Sequence, residues 1–359
     1  MSDKLKVGII GATGMVGQRF VTLLHNHPMF KIEVLAASGR SAGHTYEEAV
    51  RGRWKMAVDI PEECKNMLVL DAADIDLVSS KVDFVFCAVN MDKKRIFELE
   101  EAYAKAETPV VSNNSANRTT PDVPMVIPEV NPEHLEVIKY QRERLGTKRG
   151  FIAVKPNCSI QSYVPAITPL LKFEPELILA TTYQAISGAG KTFNEWPEMT
   201  DNVIPYIAGE EEKSEKEPLK IWGRVSDGKI VNTDSPLIST QCIRVPVTDG
   251  HTAAVFVKFK NKPTIDQIID AWDNYESPSP VLPSSPEKFI TYFRDDNRPQ
   301  CRLDRGLYNG MGVSVGRLRE DSIFDYKFVG LSHNTLRGAA GGAVLIAELL
   351  AVKGYITKK

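Results

Sequence analysis

A short apolar strand that runs through a glycine-rich turn into a helix constrains this chain more than any other feature. KLKVGIIG (4–11) is a β-rich apolar run, and MVGQRFVTLLHNH places Val16, Phe20, Leu23 and Leu24 on one helical face. Between them GATGMVG supplies Gly11, Gly14 and Gly17. Without a Cβ at such positions, backbone N–H groups and a helix N-terminus can approach a pyrophosphate. The spacing is G-x-x-G-x-x-G, a departure from the commoner dinucleotide fingerprint, so its position directly after the first strand carries the nucleotide reading.

Further strands are expected at KIEVLAAS (31–38), MLVLDAA (67–73), VDFVFCAV (82–89) and TPVVSN (108–113), with a helix from Asp92 to about Ala106. Such alternation predicts a Rossmann-like, doubly wound parallel α/β sheet. After about residue 150 the strands lengthen and alternate, as in LILATTYQAIS (177–187) and TAAVFVKFK (252–260), which predicts a second, α+β domain with a mixed, largely antiparallel sheet. After the second of these, Thr264 and Gln267 form a capping box ahead of a stripe of Ile265, Ile268, Ile269 and Trp272. A chain of 359 residues suits two domains, each large enough to bury a core.

The formal net charge of -2 with scattered Lys and Arg gives no footprint for nucleic acid or an anionic membrane, so a small-molecule partner is expected. The first residues lack the basic and apolar regions of a signal peptide, which predicts a cytoplasmic protein. The most apolar run, GAAGGAVLIAELLAV (338–352), is shorter than the roughly 20 residues that cross a bilayer and reads as a packed helix.

The end of the second expected strand selects the cofactor. An NAD site would carry an acidic residue there, whereas ASGRSAG offers Ser38, Arg40 and Ser41, a guanidinium flanked by hydroxyls that suits a 2′-phosphate. NADP(H) is therefore the expected cofactor. No metal is expected, because the five cysteines show neither a CxxC pair nor a close Cys/His pair, which also argues against a disulfide framework.

Cys158, in VKPNCSIQ, then remains either a small core residue or a nucleophile. Beside a nicotinamide, a thiolate could take an acyl group as a thioester that accepts hydride. The run SIQSYVPAITPLL after it is helix-compatible, so a helix dipole is expected to favour the thiolate. RVPVTDGH adds Arg244, able to hold a carboxylate bidentately, and His251, able to move protons.

Taken in order, GATGMVGQ, ASGRSAG, NNSANR followed by PDVPMVIPEVN, PNCS, YQAISGAG, RVPVTDGH and NTLRGAAGG resemble aspartate-β-semialdehyde dehydrogenase, most closely its archaeal and fungal branch. The resemblance spans nearly the whole chain. It implies NADPH-dependent reductive dephosphorylation of L-aspartyl-4-phosphate to the semialdehyde and phosphate, on the route to lysine, threonine, methionine and isoleucine.

The resemblance also implies roles. Cys158 would be the nucleophile, Asn157 and Gln184 would orient the reacting groups, and His251 would be the acid/base. Arg244 would hold the substrate α-carboxylate, Glu217 its amino group, and Arg118 with Lys220 the phosphate. Gly11, Thr13, Gly14, Met15 and Val16 would line the cofactor with Ser38, Arg40 and Ser41, while Ser187, Gly188, Asn334 and Gly338 would meet its nicotinamide half. The NADP-binding domain would be discontinuous, 1–157 plus 333–359, around a catalytic and dimerisation domain at 158–332, in a homodimer or homotetramer.

Two departures from the bacterial branch stand out, the SIQ flank after the cysteine and the NTLRGAAGG ending. A malonyl-CoA reductase, which shares the thioester-then-hydride logic, and a catalytically silent NADP-binding regulator are the competing readings. Glu217 and Lys220 border a charged run, EEEKSEKE (210–217), which on its own suggests a solvated face.

Overall fold

The computed structural model describes residues 4–359. Six short strands, β1 (Leu5–Ile10), β2 (Phe30–Ala37), β3 (Val69–Asp71), β4 (Phe84–Cys87), β5 (Val110–Ser112) and β6 (Ile152–Val154), form one sheet in the order β3-β2-β1-β4-β5-β6. Every neighbouring pair is parallel. The strand order reverses direction at β1, and in such sheets the crevice outside the strand ends at the switch point receives ligands. β4 reads FVFC and is buried throughout, as expected of a strand covered on both faces.

Helix α1 (Met15–Leu24) follows the glycine turn and buries Phe20, Val21 and Leu24. Helix α2 (Lys93–Lys105) starts where expected, with the Asp92 side chain accepting from the Arg95 N–H. β6 was not anticipated. It has only three apolar residues, too few for a periodicity, and its Ile152 pairs with Val110 of β5.

The second sheet contains β7 (Pro175–Gln184), β10 (Leu237–Arg244), β11 (His251–Phe259), β12 (Ile290–Phe293), β13 (Val313–Glu320) and β14 (Tyr326–Ser332), with β8 (Arg224–Ser226) and β9 (Lys229–Val231) forming a separate hairpin. Its order is β10-β7-β11-β14-β13-β12. The inner pairs are antiparallel, while β10–β7 and β13–β12 are parallel. One face of β7 packs inward through Ile178, Ala180, Thr182 and Gln184, while Leu177, Leu179 and Tyr183 stay exposed on the other.

The charged run does not lie on a solvated face. Residues Glu210–Ile221 form helix α3, and Glu210, Ser214, Glu217 and Ile221 are buried at helical spacing, with Lys220 beside them. The buried stripe is polar because it lines the site. Helix α4 (Ile265–Asp273) carries the capping box at Thr264 and Gln267 and buries Ile268, Ile269 and Trp272. The last helix, α5 (Gly341–Val352), shares one core with β1 and α1, in which Ala343, Val344 and Ile346 join Val7, Ile9 and Phe20. Its buried Glu348 accepts from His27 Nε2 at 2.8 Å and Ser284 Oγ at 2.6 Å, which answers the cost of burying a carboxylate. Among the described residues, no helix is long and apolar enough to cross a membrane.

Candidate active site

The glycine turn sits at the switch point. Gly11 adopts φ +92°, and a Cβ built there would lie 2.4 Å from the Ala88 carbonyl oxygen, so only glycine lets β1 turn against the end of β4. Two cavities meet over this turn, sharing Thr13, Gly14, Ala88, Val89 and Asn90. One, of about 420 Å³, extends to Ser38, Asp71 and Arg95. The other, of about 500 Å³, takes in Met15 and Val16 and reaches Lys55, Ala189 and Gly190. Gly11 itself lines the first, and two lobes that share the Thr13–Gly14 turn fit a dinucleotide.

The lobe by β2 contains a carboxylate that sequence reasoning missed. Ser38 and Arg40 are exposed and Ser41 is buried, as a loop after β2 allows, and a Cβ on Gly39 would lie 3.1 Å from Asp71 Oδ2 at the end of β3. A search confined to the end of β2 cannot see a side chain delivered by its neighbour. Asp71 therefore lines this lobe together with Ser38.

Cys158 follows β6. Its loop is fixed by Asn157, whose Oδ1 accepts from the Ser159 N–H at 2.7 Å and the Ser159 hydroxyl at 2.6 Å. The continuous helix expected after the cysteine is absent. Residues Ser159–Ser162 make a 3₁₀ turn, Val164–Ile167 one short α turn and Thr168–Phe173 a second 3₁₀ segment, with Pro165 and Pro169 interrupting the run. A broken helix supplies little aligned dipole. The thiol pKa is accordingly raised, first by burial and then by the Glu210 carboxylate, with Lys155, Arg118 and Arg244 pulling the other way. The expectation of a dipole-favoured thiolate is corrected on both counts.

His251 begins β11 and is fully buried, with Nε2 3.5 Å from Cys158 Sγ. Its Nδ1 accepts from the Ala185 N–H at 3.0 Å. Burial, then the Arg244 charge, holds the imidazole pKa well below its ordinary value, so the ring is neutral and its single proton resides on Nε2. Arg244, at the end of β10, donates through Nη1 to the Ala185 carbonyl at 2.7 Å. A Cβ on Gly188 would fall 2.9 Å from Arg244 Nη1 and 3.1 Å from His251 Nε2, so this loop needs glycine to pass so close to both.

Asn334, returning from the end of the chain, donates to Ser187 Oγ at 2.8 Å and accepts from the Gly250 N–H at 2.8 Å. It ties the Ser187 loop to the His251 strand. A Cβ on Gly338 would lie 2.9 Å from Cys158 Cβ, which brings the C-terminal segment directly onto the cysteine.

Glu210 is a second acidic side chain that sequence reasoning left in a charged run. It accepts from Asn157 Nδ2 at 3.0 Å, Gln184 Nε2 at 3.4 Å and Lys213 Nζ at 2.8 Å, linking the two amides expected at the site. Glu217 accepts from the Asn157 N–H at 2.6 Å and from Arg118 Nη1 at 2.9 Å.

Lys220 departs from its expected part. Its ammonium donates to the carbonyls of Arg118, Thr120 and Val123 at 2.8, 2.7 and 2.9 Å, which uses all three N–H groups. Burial lowers its pKa to about 8. In this arrangement it shapes the loop that carries Arg118 and has no donor left for an anion. Among the described residues, no group of three or more His, Cys, Asp or Glu side chains is disposed to hold a metal.

Residues 6–138 match the model of the semialdehyde dehydrogenase NAD binding domain, and residues 167–337 that of the semialdehyde dehydrogenase dimerisation domain. An aspartate-semialdehyde dehydrogenase of Schizosaccharomyces pombe is 45% identical, over 98% of this chain and 99% of its own length. That of Archaeoglobus fulgidus is 43% identical, over 97% and 98%. The chain belongs to the aspartate-semialdehyde dehydrogenase family.

The fold agrees with that assignment. The Candida albicans aspartate-semialdehyde dehydrogenase, solved with NADP, superposes with a TM-score of 0.87 at 40% identity, covering 99% of this chain and all 100% of its own. The Vibrio cholerae aspartate-semialdehyde dehydrogenase II, solved in complex with ASA, gives 0.76 at 27% identity over 98% of this chain and 100% of its own. As a semialdehyde dehydrogenase the chain is an enzyme, and relatives from archaea and fungi stand at similar distance from it.

Proposed function

We propose that this chain is the NADP-dependent enzyme that converts L-aspartyl-4-phosphate to L-aspartate-4-semialdehyde and phosphate through a thioester on Cys158, within the biosynthesis of lysine, threonine, methionine and isoleucine. The observation that carries the reading is the Cys158–His251 pair at 3.5 Å, closed in by Arg244, Gln184 and Asn157. When bound, NADPH supplies the hydride. Gly11, Thr13, Gly14, Met15 and Val16 would hold its pyrophosphate side, Ser38, Arg40 and Ser41 its 2′-phosphate, and Ser187, Gly188, Asn334 and Gly338 its nicotinamide half.

Cys158 attacks the acyl carbon and phosphate leaves. His251, neutral and protonated at Nε2 beside the sulfur, is placed to donate to the oxygen that gains charge. Arg244 is buried with one Nη1 contact and no carboxylate partner among the described residues, which suits the substrate α-carboxylate. Glu217 is the proposed partner of its amino group, and Glu210, by holding both Asn157 and Gln184, sets the orientation of those amides. Of the two basic residues first assigned to phosphate, Arg118 remains the proposed contact.

The exposed Leu177, Leu179 and Tyr183 on β7, with Leu237 on β10, form an apolar sheet face that supports a homodimer through this side. A nucleotide-binding part comprising 1–157 and 333–359 is likewise proposed, supported by the core that α5 shares with β1 and α1.

The test is NADP reduction followed at 340 nm with L-aspartate-4-semialdehyde, with and without inorganic phosphate. Phosphate-dependent turnover is expected. Absent turnover with retained NADPH binding would move the assignment to malonyl-CoA reduction, and failure there too would leave a silent NADP-binding protein.

Arg40→Ala is expected to lower kcat/KM for NADPH by about 10- to 100-fold, the worth of one or two charge-assisted contacts, with NADH little affected. Equal losses with both cofactors would remove Arg40 from the 2′-phosphate.

A further inference from the structure

Glu100 lies on the inner side of α2 and is 0% exposed. A carboxylate so placed is costly to bury unless donors surround it. Its Oε1 accepts from the Ser112 hydroxyl and from Asn114 Nδ2 at 3.2 Å, and its Oε2 accepts from Asn117 Nδ2 at 2.8 Å. Ser112 Oγ in turn accepts from the Asn114 N–H at 2.9 Å, which leaves its own proton for the carboxylate. All of these donors belong to one stretch, the end of β5 and the loop that follows it. An ionised carboxylate only accepts, so it can gather several separate donors and fix the loop that carries them.

That loop delivers Arg118, directly after Asn117. Asn117 Oδ1 accepts from Thr120 Oγ1 at 3.2 Å, so the amide held by Glu100 also ties the chain on the far side of Arg118. The Arg118 guanidinium donates through Nη2 to the Asn113 carbonyl at 3.0 Å, within the same loop, and through Nη1 to Glu217 at 2.9 Å. Its Nε is buried and has no hydrogen-bond partner among the described residues, which leaves a donor for an anion. Lys220 holds the carbonyls of Arg118, Thr120 and Val123. The loop is therefore gripped twice, by Glu100 through its side-chain donors and by Lys220 through its carbonyls.

We propose that Glu100 is a positioning residue for phosphate: by collecting Ser112, Asn114 and Asn117 it sets where Arg118 presents its guanidinium to the phosphate group. The proposal rests on the reading of Arg118 as the phosphate contact. No bond or proton is exchanged at Glu100, which acts through the shape of the loop. Glu217 keeps a second anchor, the Asn157 N–H at 2.6 Å, so the proposed partner of the substrate amino group stays in place when the loop relaxes.

The experiment follows NADP reduction at 340 nm in the full chain at saturating NADP, varying inorganic phosphate and semialdehyde in turn, for the parent, Glu100→Met, Glu100→Gln and Arg118→Gln. Glu100→Met keeps the length of the side chain and removes both acceptor oxygens, whereas Glu100→Gln keeps one. The KM for phosphate should rise at least about tenfold in Glu100→Met, comparable to losing one charge-assisted contact, and about threefold in Glu100→Gln. The kcat at saturating phosphate and the KM for the semialdehyde should stay within about threefold of the parent.

A carboxylate that served folding alone would behave differently. Its loss would lower the fraction of active enzyme, and so kcat, while leaving each KM unmoved. Melting curves report the folded fraction, and if Glu100→Met does not fold, Glu100→Gln decides alone. An unmoved phosphate KM in the folded Glu100 variants, with that of Arg118→Gln raised, would overturn the role of Glu100 and leave Arg118 as the phosphate contact. An unmoved phosphate KM in Arg118→Gln would instead overturn the reading of Arg118, and the proposal with it.

Discussion

Cys158→Ser is expected to lower kcat by at least about 10⁴-fold, while melting temperature and NADPH affinity stay near the parent values. Oxygen for sulfur removes a nucleophile that can ionise in this pocket and replaces it with a hydroxyl whose ionisation is far harder. His251 offers the hydroxyl no compensating base, since it presents a proton at Nε2 and accepts from Ala185 at Nδ1. Serine is slightly smaller and fits beneath Gly338, so the loop held by Asn157 and Ser159 keeps its shape. Stopped-flow and steady-state assays at 340 nm measure the loss, and nucleotide titration checks the fold. A loss below tenfold would rule out covalent catalysis at this residue.

Trp272→Ala is expected to destabilise the protein by about 3–5 kcal/mol. Trp272 is 1% exposed, its ring centroid lies 5.4 Å from that of Phe328 and 5.5 Å from that of Tyr292, and its indole Nε1 donates to the Ala166 carbonyl at 2.7 Å. Truncation leaves a cavity between α4 and the second sheet and orphans a buried carbonyl that belongs to the segment following Cys158. Chemical denaturation of parent and variant reads the difference. A change below about 1 kcal/mol would mean that the core collapses around the gap.

Legibility in the sequence tracked the range of the interactions. The glycine turn, the Asp92 cap and the Thr264–Gln267 capping box are written in adjacent residues, because each satisfies backbone groups within one turn of itself. Helix α3 was hidden, since its buried stripe is Glu210, Ser214 and Glu217 in place of apolar residues, and a periodicity of hydrophobic side chains passes over it. The broken helix after Cys158 was misread for a related reason. Its composition is compatible with helix, but Pro165 and Pro169 divide it into turns that only packing in the interior selects.

The sequence by itself determined the nucleotide-binding first unit, the change of texture after residue 150 and the identities of Cys158, Arg244 and His251 as chemically apt residues. These rest on local spacing and on what each side chain can do. Tertiary structure alone decided which groups meet. It set Asp71 beside the loop after β2, used up the donors of Lys220 on three carbonyls, and brought Gly338 and Gly342 from the far end of the chain over Cys158 and Lys155. Burial and charge act through space, with no regard to separation along the chain, so the protonation of the site is fixed only once the two sheets and the last helix have closed around it.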